Sequence, residues 1–124
     1  MRTIAELISI IQLERIENNI FRGASIPTPW KRVYGGQVLS QALNAATQTV
    51  EPDRCVHSMH GYFILPGDIE LPIVYEVDRI RDGGSFATRR VVAIQKGRPI
   101  FNMSASFQLE QEGLDHQVEM PDVP

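Results

Sequence analysis

Apolar residues recur at helical spacing in two segments of the chain. The first covers residues 4–11, and the spacing of Thr3 and Glu6 is that of an N-terminal capping box. The second runs from Gly36 to Val50 and is apolar over most of its circumference, so we expect a largely buried helix. Alanines line one side of this helix, and their short side chains would let a β-sheet approach closely.

The remaining apolar positions alternate with polar ones or fall in short runs, as they do in strands. Residues 13–26 carry Asn18-Asn19 and predict a small hairpin that turns at the asparagines. Residues 25–32 contain two prolines and predict an extended loop that Trp30 anchors by packing. The segment from Cys55 to Leu109 is broken only by turn sequences and predicts a meander of about four antiparallel strands.

One hydrophobic helix and one antiparallel sheet bury each other most economically if the sheet curves around the helix. We therefore predict an α+β fold in which residues 1–110 form a single domain. The edges of such a sheet stay open and invite pairing with a second copy. Residues 111–124 are polar, contain prolines and predict a linker.

Composition and charge exclude several classes of protein. With 43% apolar and 22% charged residues, the 124-residue chain has an ordinary globular composition. A formal net charge of −3 gives no reason to expect a nucleic-acid partner. No apolar run approaches the ~20 residues of a membrane span, and the N-terminal residues lack the pattern of a secretory signal. Cys55 is the single cysteine, so an internal disulfide and a cysteine-rich zinc site are excluded, and we expect the reducing cytoplasm.

Several motifs follow one another along these predicted elements. They are Val33-Tyr34-Gly35-Gly36-Gln37-Val38, Gln41-Ala42-Leu43, Val56-His57-Ser58-Met59-His60-Gly61-Tyr62-Phe63, Pro66-Gly67-Asp68, Tyr75-Glu76-Val77, Arg89-Arg90-Val91, Pro99-Ile100-Phe101 and Ser106-Phe107-Gln108. In this order they closely resemble the N-terminal half of type II acyl-CoA thioesterases. The resemblance covers nearly the whole chain.

The resemblance implies a hot-dog fold and the hydrolysis of acyl-CoA to a fatty acid and CoA, a reaction of lipid metabolism. It also implies that the family's catalytic Asp, Ser/Thr and Gln lie in a C-terminal repeat beyond residues 111–124. The expected partners are therefore acyl-CoA and a second hot-dog domain, either in cis or in a homo-oligomer such as a dimer. No metal ion or other cofactor is implied, and the 124 residues alone should be inactive or weakly active.

The turn Gly35-Gly36-Gln37 is the main candidate for chemistry. Backbone N–H groups at the start of a helix can hold the oxyanion of a thioester's tetrahedral intermediate, and glycines let the substrate approach. The alternative is that the two glycines only permit a sharp turn. Gln41, about one helical turn further on, is a possible counterpart of the catalytic carboxylate that could orient a water but not deprotonate it. It could equally be a polar position that faces the partner repeat.

Two histidines and two arginines are further candidates. His57 and His60 should point to opposite faces of one strand, so they would not share a metal ion. His60 could border the active site beside Ser58 and Tyr62, although a structural, hydrogen-bonded histidine is the favoured interpretation. Arg89 and Arg90 also alternate faces, and one of them could meet the phosphates of CoA, although a solvated or ion-paired arginine is more common.

Other functions receive less support from the sequence. A non-catalytic hot-dog domain that pairs with a partner or acts as a scaffold is the main alternative. An enoyl-CoA hydratase would need Asp or Asn six residues before a catalytic histidine, but Glu51 and Arg54 occupy those positions. Cys55 lies too far from His57 on a strand for a catalytic pair. Ala87 breaks the Gly-x-Ser-x-Gly pattern of an α/β-hydrolase around Ser85.

Overall fold

A computed structural model describes residues 3–124 of the chain. This part of the chain forms two helices and six strands. In chain order they are α1 (Ile4–Ile11), β1 (Glu14–Glu17), β2 (Ile20–Gly23), α2 (Gly35–Thr47), β3 (Arg54–Phe63), β4 (Ile73–Asp82), β5 (Phe86–Gln95) and β6 (Arg98–Leu109). No helix within these residues is long and apolar enough to cross a membrane.

Both helices form where the apolar spacing predicts them. The Oγ1 atom of Thr3 accepts a hydrogen bond from the N–H of Glu6 at 3.1 Å and caps α1. α2 ends at Thr47, and the backbone continues to Val50 in hydrogen-bonded turns rather than as helix. The buried residues of α2 are Gln37, Val38, Gln41, Ala42, Ala45 and Ala46.

All six strands belong to one antiparallel sheet with the order β1-β2-β4-β5-β6-β3. The predicted hairpin at Asn18-Asn19 forms as β1 and β2, and it joins the main sheet because β2 pairs with β4. The predicted meander is correct for β4, β5 and β6 but wrong for β3, which pairs with β6 instead. The connection from β3 to β4 is too long for a tight hairpin and crosses the end of the sheet.

α2 packs against the inner face of this sheet. Phe101, Met103 and Phe107 of β6 alternate with polar residues, point inward and are at most 1% exposed. Ala42, Ala45 and Ala46 of α2 belong to the same buried cluster, and their small side chains let helix and sheet approach closely. The predicted α+β architecture is confirmed, and it leaves β1 and β3 as the two edge strands.

The predicted packing role of Trp30 is wrong. A turn closed by the hydrogen bond from the Lys31 N–H to the Thr28 carbonyl places Trp30 at its tip. The side chain of Trp30 is therefore 60% exposed.

Candidate functional site

The first turn of α2 leaves two backbone N–H groups free. The N–H groups of Gln37 and Val38 donate to the Tyr34 carbonyl, at 3.0 and 3.4 Å. Within residues 3–124, the N–H groups of Gly35 and Gly36 have no hydrogen-bond partner. Both lie at the positive end of the helix dipole, where an oxyanion is stabilised.

Two apolar openings flank this turn. One, the helix cleft, has a volume of about 200 Å³, reaches Gly36 and is lined by Leu7, Ile10, Ile11, Ile26, Tyr34, Gln37 and Ser40. The other, the edge groove, has a volume of about 320 Å³, reaches Gly35 and is lined by Arg32, Val33, Val38, Phe63, Ile64, Leu65 and Pro66. Among the described residues, neither lining contains a carboxylate or a histidine that could act as a general base.

The absence of side chains at Gly35 and Gly36 keeps the turn compact. A Cβ atom at Gly35 would lie 3.1 Å from the ring of Phe63. A Cβ atom at Gly36 would lie 2.9 Å from Cζ of Tyr34. Both glycines therefore contribute to packing, in addition to leaving the amides accessible.

Gln37 holds a loop rather than presenting a free amide. Its Nε2 donates to the Ala24 carbonyl at 3.2 Å and to Ser25 Oγ at 3.3 Å, while its Oε1 accepts from the Ile26 N–H at 3.5 Å. The side chain is 6% exposed. It fixes the wall of the helix cleft.

Gln41 does not face a partner, and the prediction of a partner-facing position is wrong. It is fully buried, and its Nε2 donates to the carbonyls of Ile10 and Ala24 at 2.7 and 2.9 Å. Its Oε1 accepts a hydrogen bond from the Tyr75 hydroxyl at 2.6 Å. Burial raises the pKa of Tyr75 well above its ordinary value, so the hydroxyl stays protonated and donates. The amide of Gln41 is thus committed to joining α1, the segment after β2 and β4 to α2, which removes the water-orienting role.

His57 and His60 lie on the same face of β3, contrary to the prediction. The pairing of β3 with β6 shifts between Val56 and Ser58, because His57 occupies a β-bulge. Nε2 of His57 is therefore 2.7 Å from Oγ of Ser106 on the outer face. No cluster within residues 3–124 has the three His, Cys, Asp or Glu side chains that a metal site needs.

His60 lies on the face of the sheet that points away from α2. It pairs with Ser104, is exposed and contacts the ring of Tyr62 edge-on at 4.8 Å between centroids. It therefore borders neither the helix cleft nor the edge groove.

Arg89 has no donor left for a phosphate. It is 1% exposed, and its five N–H groups donate to Thr49 Oγ1, Thr49 O, Arg81 O, Thr88 O and Asp82 Oδ1, at 2.7 to 3.1 Å. The candidate role in CoA binding is thus excluded by its hydrogen bonds. Arg90 is exposed on the outer face, opposite Asp78 on β4 and Ser104 on β6.

A basic cleft that sequence reasoning missed lies beside the edge groove. Two adjoining openings of about 500 and 420 Å³ surround the loop 66–70. Four exposed cations line them, two from the loop before α2, one from the β5–β6 turn and one from the start of β6: Lys31, Arg32, Lys96 and Arg98. These pairs lie far apart along the chain, so no local motif brings them together. The sequence indicates only that each pair of cations lies in or next to a turn.

The comparisons with known proteins agree with the fold. The family model described as "Acyl-CoA thioesterase N-terminal domain" matches residues 26–108. Acyl-CoA thioesterase 2 from Haemophilus influenzae is 45% identical over 117 residues, and human acyl-coenzyme A thioesterase 8 is 46% identical over 117 residues. Each alignment covers 94% of this chain, but only 41% and 37% of the relative.

Solved structures give the same result. The acyl-CoA thioesterase II TesB2 from Mycobacterium marinum superposes with a TM-score of 0.83 at 48% identity, over 96% of this chain and 44% of that one. A protein of unknown function with a hot dog fold from Alicyclobacillus acidocaldarius superposes with a TM-score of 0.76 at 23% identity, over 93% of this chain and 44% of that one, which supports the fold alone. The chain thus spans less than half the length of these relatives. It has the hot-dog fold and belongs to the family of acyl-CoA thioesterase N-terminal domains.

Proposed function

We propose that this chain is the N-terminal hot-dog domain of an enzyme that hydrolyses acyl-CoA to a fatty acid and CoA. The observation that carries the proposal is the family match over residues 26–108 combined with the two free N–H groups at the start of α2. In this proposal a water attacks the thioester carbonyl, the N–H groups of Gly35 and Gly36 stabilise the oxyanion, and the CoA thiolate leaves.

The proton acceptor for the attacking water comes from a second hot-dog domain. This is supported by the linings of the helix cleft and the edge groove, which lack a general base within the described residues. The second domain is supplied in cis or by another copy of the chain. Residues 111–124, which are exposed and without regular structure, would serve as the linker in the first case.

The surface around the edge groove supports such a pairing. β3 is a ten-residue edge strand, and Phe63, Ile64 and Leu65 at its end are 60%, 47% and 43% exposed. A long strand edge and a contiguous apolar patch are both typical of a protein interface. The exposed thiol of Cys55 supports a reducing location such as the cytoplasm.

The test compares two proteins in an acyl-CoA hydrolysis assay that follows free thiol. One is the 124-residue chain alone, and the other is the same chain joined to the C-terminal part of the Haemophilus influenzae relative. We expect the joined protein to hydrolyse acyl-CoA, and the isolated chain to hydrolyse it far more slowly or not at all. Equal turnover by the isolated chain would contradict the need for a second domain.

The alternative is a domain that pairs with a hot-dog partner without contributing to catalysis. The hydrogen bonds of Gln41 and Arg89 favour this alternative. Both side chains are candidates for chemistry in the sequence, but in the structure both are held by groups of the fold. In that case Gly36→Val would leave the turnover of the joined protein unchanged. Under the main proposal the same substitution reduces it.

A further inference from the structure

We propose that the basic cleft formed by Lys31, Arg32, Lys96 and Arg98 binds the phosphates of CoA. The inference rests on the proposed function, since it names the part of the chain that recognises the leaving group of the substrate. Acyl-CoA carries a 3′-phosphate and a diphosphate at one end and the thioester at the other. Guanidinium and ammonium groups bind such phosphates through charge-assisted hydrogen bonds.

The charge of the cleft differs from that of the whole chain. Four cations and two carboxylates, Asp68 and Glu70, line the two openings, whereas the chain has a formal net charge of −3. Within residues 3–124, the side chains of Lys31, Arg32 and Arg98 have neither a hydrogen bond nor an ion pair. Their donors are therefore available to a ligand.

Asp68 offsets part of this positive charge. Its Oδ1 accepts a hydrogen bond from the Glu70 N–H at 2.9 Å, and its Oδ2 lies 4.0 Å from Nζ of Lys96. The carboxylate of Glu70 is the second opposing charge in the lining. With four cations against two carboxylates, the net charge of the lining is positive and favours the binding of an anion.

Loop 66–70, which both openings surround, is held in place by hydrogen bonds. Gln95 is 7% exposed, accepts from the Asp68 N–H at 2.8 Å and donates to the carbonyls of Asp68 and Leu71 at 3.0 and 3.2 Å. The N–H of Val33 donates to the Gly67 carbonyl at 2.9 Å. These bonds fix loop 66–70 against both basic turns, so the loop itself needs little ordering on binding.

The backbone of the two turns is also unusual. Lys31 and Lys96 have φ angles of 59° and 52°, and within residues 3–124 they are the non-glycine residues with positive φ. Such conformations are uncommon for residues with a side chain. Both occur at lysines that line the same cleft.

The cleft is continuous with the proposed oxyanion site. Arg32 and Pro66 line both the larger basic opening and the edge groove, and the edge groove reaches Gly35. A ligand whose phosphates lie in the basic cleft can therefore extend its pantetheine arm along the apolar groove to the start of α2. Arg90, on the outer face of the sheet, lines neither the cleft nor the groove.

The first test measures binding by calorimetry on the 124-residue chain, in the presence of a reductant. The ligands are CoA, 3′-dephospho-CoA, pantetheine and inorganic phosphate, and the variant is the double substitution Arg32→Glu and Arg98→Glu. Arg90→Glu is the matched control, because it reverses an exposed charge outside the cleft. We expect roughly tenfold weaker CoA binding by the double variant and a smaller dependence of the affinity on salt. Arg90→Glu should bind CoA like the parent chain.

Three outcomes would overturn the proposal. They are equal CoA affinity in the parent chain and the double variant, pantetheine that binds as tightly as CoA, and inorganic phosphate that binds as tightly as CoA. The third would indicate a general anion site. Circular dichroism checks that the variants are folded.

A second test separates this inference from the proposed function. In the joined protein, we expect the double variant to raise KM for acyl-CoA roughly tenfold and to leave KM for acyl-pantetheine unchanged, because that substrate lacks the nucleotide phosphates. An equal rise in both KM values would overturn the role of the cleft. If the parent protein hydrolyses neither thioester, the proposed function fails, and the calorimetric result still decides whether the cleft binds CoA.

Discussion

Two buried polar side chains, Gln41 and Arg89, illustrate how a structural role can look like a catalytic one in the sequence. Each is a polar residue among the buried residues of its element, which is also the pattern of a site residue. In the structure, both side chains donate to backbone carbonyls that are distant in the chain, and Arg89 also donates to Thr49 Oγ1, Asp82 Oδ1 and the Thr88 carbonyl. A buried polar group with every donor satisfied stabilises the fold and has no free donor for a substrate.

We expect Arg89→Met to lower the free energy of unfolding by about 2–3 kcal/mol, because it leaves buried carbonyls, including that of Thr49, without a donor. The Asp82 carboxylate contributes little to this loss, since its side chain is 60% exposed. Urea unfolding measures the change. Arg90→Met is the control and should change the free energy by less than about 0.5 kcal/mol. Equal losses in the two variants would contradict the buried network.

Tyr75 makes stability depend on pH at the alkaline end. Burial raises the pKa of its hydroxyl above the ordinary value of 10.0, so above that pH the unfolded chain releases a proton that the folded chain keeps. The free energy of unfolding should therefore fall by about 1.4 kcal/mol per pH unit above pH 10.0. Tyr75→Phe should abolish this part of the slope and cost about 1 kcal/mol near neutral pH, because it leaves Oε1 of Gln41 without its donor. Urea unfolding of both proteins across this range is the measurement, and identical slopes would contradict the prediction.

At the scale of elements, two local features of the backbone decide what the candidate site contains. The bulge at His57 turns that side chain to the outer face of β3, and the start of α2 leaves two amides unpaired. A bulge inserts one residue, which reverses the alternation of side chains beyond it. The histidines of β3 consequently lie away from α2.

We expect Gly36→Val to lower kcat of the joined protein at least tenfold, on the order of the loss of one oxyanion donor. The new Cβ would lie against the ring of Tyr34, and its methyl groups would obstruct the approach to the amide. Gly84→Val is the control, because a Cβ there meets no atom within 4 Å. If both variants kept the parent kcat, the amides at the start of α2 would have no part in catalysis.

At the scale of the whole molecule, the domain is well packed on one side and open on the other. Alternate positions of β6 are buried against α2, whereas β3 and the residues after it remain exposed. A partner that covers this side would bury apolar surface and also complete the site beside Gly35. Association and activity should therefore be lost together.

Ile64→Glu should weaken association with the second hot-dog domain at least tenfold, because it places a charge in the exposed patch after β3. Sedimentation equilibrium measures the association. Ile80→Glu replaces a residue that is 53% exposed on β4, which β5 and β6 separate from the edge strand β3, and should leave association unchanged. Association that survives Ile64→Glu would mean that the partner binds elsewhere.

The sequence by itself determined the identity of most elements. Local periodicity was sufficient for both helices, for the hairpin at Asn18-Asn19 and for the strands β4 to β6, because caps, turns and alternation act over a few residues. The ordered motifs were sufficient to identify the family, because a series of matched segments is far more specific than a single pair of glycines. These features would be present in any chain with the same local pattern.

Only the tertiary structure decided the position of β3, the bulge at His57, the burial of Arg89 and the assembly of the basic cleft. Each depends on contacts between residues that are distant in the chain, and the free energy of such contacts is not encoded in any one segment. Lys31 and Arg32 line one opening and Lys96 and Arg98 the other, and the two openings adjoin only because both are lined by Pro66 and Asp68 of loop 66–70. The elements therefore follow from local physics, whereas the candidate binding surface follows from how those elements pack.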